Sequence, residues 1–375
     1  MKNIFLILLI IASCSNNPAN SKKNDEINLE SLWIKNTNNI AAPKTPPLVI
    51  EGSKVIYTGE VELKALDIDD GTELWSGIID NEISLVSYIL VFDNELNRVL
   101  SNHKESFKAW DTDTGELIFS LGKNHDIEAW GVGRNSLINN GYGVVGDTLD
   151  AYALNIDGSI RFKIDTDYET SGVSYSEAKI FLSQGKNIHG ELTLGKIRAF
   201  NSNSGDSLWT YYTTNSGFIW SSSIVEEKIL YAGTWGNSPK REVTALNSES
   251  GEVIWKYITD DQMEYTESIL VGLNYVYSGA GGTLLALDKQ TGKKAWRFDW
   301  TSSTLVRPVY LEGYVYHSDH NRLFVLDAET GELVHEEPLP EGGGFFWHLA
   351  VSSDKLFAQT SRQLIAYQPW HLREE

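Results

Sequence analysis

The chain has 375 residues, of which 41% are hydrophobic and 11% aromatic, enough for a sizeable buried core and too apolar for a disordered chain. Its 31 Lys and Arg stand against 51 Asp and Glu, a formal charge of -20. A chain this acidic is repelled by phosphate backbones and has no basic run to override the repulsion, so nucleic acid is excluded as a partner.

The first residues, "MKNIFLILLIIASC", carry one Lys and then an apolar run from Ile4 to Ala12. A bilayer-spanning helix needs about 20 apolar residues, so this run predicts a secretory signal peptide over residues 1–13 and an exported mature chain. Ile11, Ala12, Ser13 and Cys14 resemble, position by position, the lipobox of bacterial lipoproteins, which implies a lipid on Cys14. Ser15 and Asn16 follow without an Asp, which resembles lipoproteins sorted to the outer membrane and facing the periplasm. Residues 14–30 are rich in Asn, Ser and Lys and read as a flexible tether. Cys14 is the only cysteine, so no intrachain disulfide, thiolate metal site or cysteine nucleophile is expected.

From residue 31 onward the chain is a repeat. "KALDIDDGTELW" ends at Trp75, "KAWDTDTGELIF" at Phe119, "YALNIDGSIRF" at Phe162, "RAFNSNSGDSLW" at Trp209, "TALNSESGEVIW" at Trp255, "ALDKQTGKKAW" at Trp296 and "FVLDAETGELVH" at His335. The turn glycines Gly71, Gly115, Gly158, Gly205, Gly251, Gly292 and Gly331 are spaced by 44, 43, 47, 46, 41 and 39 residues. Each unit predicts a hairpin. Alternating apolar residues such as Leu285 and Leu287 form a strand with one face in a core, Asp288 orders the turn, and Gly292 supplies its positive φ. Trp296 then falls four residues past the glycine, where a large ring wedges one unit against the next.

Upstream of each hairpin lies a second strand pair, as in "SSIVEEKILYAG" at 222–233, and no amphipathic helix is evident. Four short strands per unit make an all-β β-propeller. An eighth copy, "LIAYQ" from Leu364, stops before its turn, while "SLWIKN" at 31–36 presents Trp33 without a preceding hairpin. An eight-bladed ring closed by this N-terminal strand accounts for both, with seven blades as the alternative should the degenerate copy around Gly158 form none.

The "ALD..TG...W" core resembles the PQQ-like repeat propellers over residues 31–371. One branch of that family holds the quinoprotein dehydrogenases and another the BamB-type lipoproteins of outer-membrane β-barrel assembly. The dehydrogenase branch commonly stacks its quinone between a Trp and a disulfide of adjacent cysteines beside a calcium ion. The lone Cys14 cannot supply that pair, so the resemblance favours a BamB-like scaffold that binds other proteins, with no cofactor, no metal and no catalytic residue expected. A quinoprotein oxidoreductase and a solute-binding or glycan-binding propeller are the alternatives. The expected partners are proteins, foremost the barrel-assembly core, with the lipid as membrane anchor and the chain a monomer.

Function is sought where the repeat is broken. Trp130, Trp220 and Trp347 fall at equivalent blade entries. The same face should carry the long loop at 183–196, with Leu192 and Leu194, and the loop at 233–242, with Trp235, Lys240 and Arg241. Aromatic entries with protruding apolar and basic tips suit a binding surface; the alternative is that the three Trp pack around the propeller axis as core, with Trp235 on its longer loop the one left exposed. "HSDH", His317 to His320, has metal-ligand residue types, but its register places it in the loop between two strands of a blade; "EGGGFF" at 341–346 reads as a connection between blades and not as a phosphate cradle.

Overall fold

The computed structural model describes residues 28–37, 48–58, 62–79, 89–93, 95–103, 106–122, 136–138, 140–145, 150–185, 195–214, 223–234, 240–259, 268–280, 282–301 and 306–373. They form eight separate four-stranded antiparallel sheets, and the chain is an eight-bladed β-propeller. Strand β1 (Ser31–Asn36) stands apart from the first complete blade, which is β2 (Val49–Glu51), β3 (Lys54–Thr58), β4 (Glu62–Asp67) and β5 (Glu73–Ile78). Blade two is β6 (Ile89–Asp93), β7 (Arg98–His103), β8 (Ser106–Asp111) and β9 (Leu117–Gly122); blade three is β10 (Ser136–Ile138), β11 (Gly141–Val145), β12 (Asp150–Asn155) and β13 (Ile160–Asp165). Blade four is β14 (Glu169–Ser176), β15 (Lys179–Gly185), β16 (Gly195–Asn201) and β17 (Ser207–Tyr212); blade five is β18 (Ile224–Glu226), β19 (Ile229–Gly233), β20 (Glu242–Asn247) and β21 (Val253–Ile258). Blade six is β22 (Ser268–Val271), β23 (Tyr275–Ala280), β24 (Thr283–Asp288) and β25 (Lys294–Asp299); blade seven is β26 (Val309–Leu311), β27 (Tyr314–Ser318), β28 (Arg322–Asp327) and β29 (Leu333–Pro338). The last blade combines β30 (Phe346–Val351), β31 (Leu356–Thr360) and β32 (Gln363–Tyr367) with β1.

The degenerate copy around Gly158 forms a full blade, so the seven-blade alternative falls. Its turn is one residue shorter than the others, with Gly158 N–H bonded to Asn155 O at 2.9 Å where Gly292 N–H bonds Asp288 O, four residues back, at 2.8 Å.

The ring closes as its two irregular ends require. β1 pairs antiparallel with β32, from Ser31 opposite Tyr367 to Asn36 opposite Gln363, although more than 300 residues of chain separate them. This joint removes the open edge that a linear array would leave at each end. The third strands correct the one-faced reading of the hairpin. Leu284, Leu285, Ala286 and Leu287 are all fully buried, because Leu284 and Ala286 pack against blade seven while Leu287 packs against blade five. Burial on both faces turns an alternating pattern into a continuous apolar run.

The repeated turn joins each blade to its neighbour. Asp288 Oδ1 accepts the backbone N–H groups of Gln290 and Thr291 at 3.2 and 2.8 Å, and Gly292 takes a φ of 68°. The indole of Trp255, from the preceding blade, lies on that glycine, and its Nε1 donates to Lys289 O at 2.9 Å. A Cβ on Gly292 would stand 2.4 Å from Trp255 Cε3. The same docking recurs for Trp33 on Gly71, Trp75 on Gly115, Trp209 on Gly251 and Trp296 on Gly331, each indole donating to a carbonyl of the next turn at 2.8–3.1 Å. Phe119 and Phe162 meet Gly158 and Gly205 without such a bond to give.

His335 breaks the series because blade eight, assembled from both chain ends, has no glycine turn to receive an indole. Its ring stacks instead on Trp370 of the C-terminal 3-10 turn (Trp370–Leu372), with centroids 5.0 Å apart and planes at 19°. Its Nε2 lies 3.0 Å from Glu337 Oε2, which also accepts the N–H of Leu29 at 2.6 Å. The two chain ends are thereby fixed at one seam.

Gly292→Ala is expected to cost about 2–4 kcal/mol, from a left-handed backbone and from the indole it would strike. In a Trp255→Ala background the same change should cost visibly less, because the clash is gone while the φ penalty stays. Thermal or denaturant unfolding of the four proteins measures this, and additive losses would show that the indole contact is not what the glycine serves.

Candidate functional site

Antiparallel four-stranded blades divide their connections between two faces. The repeated Asp-to-Gly turns lie on one; the loops between second and third strands and the entries to each first strand lie on the other, here the loop face. Of the residues expected to form a contact surface there, Leu192, Leu194, Trp220 and Trp235, together with Trp130, lie outside the described residues, as does Cys14.

Lys240 and Arg241 are described, and they part company. Lys240 is exposed, whereas Arg241 is only 7% exposed and its backbone N–H donates to Thr259 Oγ1 at 2.9 Å. The expected basic tip is therefore Lys240 alone. Arg241 leads into β20 and is buried there.

Beside it, Glu242 is fully buried in the seam between blades four and five. Its carboxylate accepts from Tyr211 Oη at 2.8 Å and from Thr214 Oγ1 at 3.1 Å, with Lys256 Nζ at 3.6 Å. Burial, reinforced by the Glu242 charge, pushes the Tyr211 phenol above its ordinary range, so it stays protonated and donates. This network anchors the base of the 233–242 loop.

The reading of His317 as a loop residue is corrected. It lies in β27, fully buried, with ring centroids 4.5 Å from Trp300 and neither ring nitrogen hydrogen-bonded. The turn begins at Asp319, whose Oδ1 accepts the N–H groups of Asn321 and Arg322 at 2.7 Å each and whose Oδ2 accepts Arg322 Nη2 at 2.7 Å. Burial pulls the His317 pKa down from 6.5 to about 3 against a weaker opposing pull from Asp319, so the ring is neutral at ordinary pH. Among the described residues no group of three or more His, Cys, Asp or Glu is placed to hold a metal ion.

Trp347 lies inside β30, at its bulge between Phe346 and His348, and is half-buried. Residues 341–345 connect blades seven and eight as expected, and they also hold Phe345 half exposed, its ring edge-on to His320 at 5.6 Å and to Trp347 at 6.5 Å. Sequence reasoning missed Phe345, for which the adjacent glycines were the available signal.

A cleft of about 540 Å³ opens at the rim between blades three and four, lined by Asp165, Thr166, Asp167, Lys196, Arg198, Thr210 and Tyr212. Lys196 pairs with Asp167, holding that carboxyl below its usual range, and its ammonium sits 3.8 Å from the Tyr168 ring centroid. Nothing in the repeat marks this cleft, because it joins strand ends from two units.

The family model described as outer membrane protein assembly factor BamB matches residues 102–274, 193–344 and 280–369. The chain belongs to that family. Among solved structures, BamB from Moraxella catarrhalis superposes with a TM-score of 0.70 at 14% identity, over 92% of this chain and 99% of that one. The computationally designed Ika8 protein gives 0.68 at 16% identity, over 91% and 98%. A quinohemoprotein alcohol dehydrogenase, ADHIIG from Pseudomonas putida HK5, gives 0.71 at 12% identity, over 92% of this chain and 77% of that one. At these identities the superpositions establish the fold; a designed protein and an enzyme share it with this BamB-family propeller. No curated protein matches the sequence.

His317→Leu removes the buried imidazole. In the native protein His317 resists protonation until about pH 3, while in the unfolded chain it titrates near 6.5, so the wild type loses stability as pH falls through that window. The variant should gain on the wild type by about 1.4 kcal/mol per pH unit below 6.5 and run parallel to it above. Denaturant midpoints at pH 8, 6 and 4.5 measure the gap; a gap that stays constant would place the imidazole in contact with water.

Proposed function

We propose that this chain is a lipid-anchored, protein-binding propeller that faces the periplasm from the outer membrane and assists the assembly of outer-membrane β-barrel proteins. The family match over residues 102–369 carries the reading. The lipobox-like Ile11 to Cys14 supports the anchor, and no described helix is long and apolar enough to cross a membrane. In this reading the propeller docks on a periplasmic part of the barrel-assembly core through its loop face, with Leu192, Leu194, Trp220, Trp235 and Lys240 as contact residues. Arg241 supports the base of the 233–242 loop from within the fold.

A second reading, a quinoprotein oxidoreductase, is favoured by the similarity to ADHIIG. Saturable binding of pyrroloquinoline quinone with calcium, accompanied by dye reduction, would move the assignment there. A glycan-binding propeller would show itself by a glycan-array signal that Trp220→Ala and Trp235→Ala abolish.

Two measurements test the main reading. Crosslinking in native membranes followed by affinity capture should recover the barrel-assembly core, and a Leu192→Ser, Leu194→Ser protein should recover at least about tenfold less if these side chains are interface anchors. Capture without the core would end the assembly role and leave the fold untouched. Cys14→Ala should shift the protein from the membrane to the soluble fraction, and retention in the membrane would remove the lipid from the reading.

A further inference from the structure

Eight blades present eight outer strands, each with one unpaired edge. Such edges are templates for another strand, and natural proteins blunt them with charge or proline. Six of the eight do so, as with Lys35 in β1, Lys256 in β21 and Pro338 in β29. β9 and β17, "LIFSLG" and "SLWTYY", carry neither charge nor proline. Of these two, β17 borders the rim cleft, which Thr210 and Tyr212 line.

The register shows which backbone groups of β17 are free to pair. Thr213 N–H donates inward to Gly195 O at 2.9 Å. Bonded and non-bonded pairs alternate along an antiparallel ladder, so Tyr211 and Trp209 also bond inward, and Thr210 and Tyr212, opposite Arg198 and Lys196, point their N–H and C=O groups outward. The same alternation sets the side chains. Trp209 and Tyr211 turn toward the seam with blade five and Thr210 and Tyr212 away from it; Leu208, the unpaired residue of the bulge between Ser207 and Trp209, is exposed with them, Leu208 at 45% and Tyr212 at 55%.

The charged lining of the cleft balances, but one of its described cations is left without an ion-pair partner. Lys196 is engaged by Asp167, and the Asp165 carboxylate shares Lys163, at 3.1 Å, with Asp150 at 2.8 Å. Arg198 forms no ion pair among the described residues; its guanidinium rests 4.6 Å from the Phe200 ring centroid, makes one long contact to Asp165 O at 3.4 Å, and reaches Asp167 only through its field. A residue added to the sheet opposite Thr210 would stand two strand spacings, about 9–10 Å, from Arg198. A glutamate and an arginine side chain span that gap over the short threonine.

We propose that the outer edge of β17 is a strand-addition site for an extended polypeptide segment that sets apolar side chains against Leu208 and Tyr212 and a glutamate toward Arg198. Main-chain bonds to Thr210 and Tyr212 supply the affinity, and the cleft supplies the selectivity. The proposal rests on the protein-binding reading above and names a surface of that propeller distinct from its loop tips.

The probe is a fluorescein-labelled peptide, Thr-Val-Thr-Glu-Thr-Val-Thr, with a twin carrying Lys in place of Glu, measured by anisotropy against the mature protein. The Glu peptide should bind saturably and about tenfold more tightly than its twin, as for one favourable charge contact. Arg198→Glu should reverse that preference. Thr210→Pro removes an outward N–H without touching the inward ladder, so it should abolish binding while the unfolding midpoint stays close to that of the wild type. Should Thr210→Pro unfold the protein, Tyr212→Glu places a negative charge on the same edge, against the glutamate of the peptide, and should have the same effect on binding. No saturable binding, binding indifferent to these substitutions, or sedimentation showing dimers that Thr210→Pro dissolves would overturn the proposal, the last by assigning the edge to a second copy. Loss of peptide binding with retained capture of the barrel-assembly core ends strand addition alone; peptide binding without capture ends the assembly role alone.

Discussion

Everything in this propeller depends on one contact made again and again: an indole from one blade laid on a glycine of the next. The glycine has to be there twice over. Its φ near 70° disfavours any side chain, and the ring lies within 2.4–2.8 Å of where a Cβ would sit at five of these joints. Each indole N–H also satisfies a turn carbonyl, so the contact combines burial of a large ring with a hydrogen bond in a dry seam. Blades joined this way need no disulfide, which suits a chain whose single cysteine, Cys14, precedes the first strand in the sequence.

Ion pairs add a second, weaker tie on the same face. Lys54 reaches Asp113 at 2.7 Å, Lys179 reaches Glu249 at 2.7 Å and Lys355 reaches Asp69 at 2.9 Å, each linking a hairpin of one blade to the turn of the next. Exposed partners make such pairs worth little individually. Their value lies in giving the acidic turns local counter-charges in a chain of formal charge -20. With the turn face committed to holding the ring together, the loop face and the rim are left for the contacts proposed above.

Most of the architecture was legible because a repeat states its rule seven times. Gly292 and Trp296 mean little singly; beside Gly251 and Trp255 they define a period, and the missing turn after Tyr367 together with the orphan Trp33 predicted the joint between β1 and β32. Site residues were legible only in part. Trp347 was noticed, but Phe345, held out by a glycine-rich connection, was not. Arg241 looked like a loop tip and proved to be buried, and His317 looked like a turn residue and proved to be strand core. Both errors have one cause: next to a strand end, one residue's shift in boundary decides whether a polar side chain meets water or a neighbouring blade.

By itself, then, the sequence determined the all-β class, the eightfold repeat, the chemistry of the turn and the closing strand, since each follows from local φ/ψ preference and from periodicity that survives in one dimension. Tertiary structure alone decided which side chains share a seam. It buried both faces of the third strands, stripped His317 of its partners, substituted Trp370 for an eighth wedge behind His335, and set Arg198 beside the uncharged edge of β17. Those relations join residues tens to hundreds of positions apart, through the rotation of one blade onto the next, and no spacing along the chain encodes them.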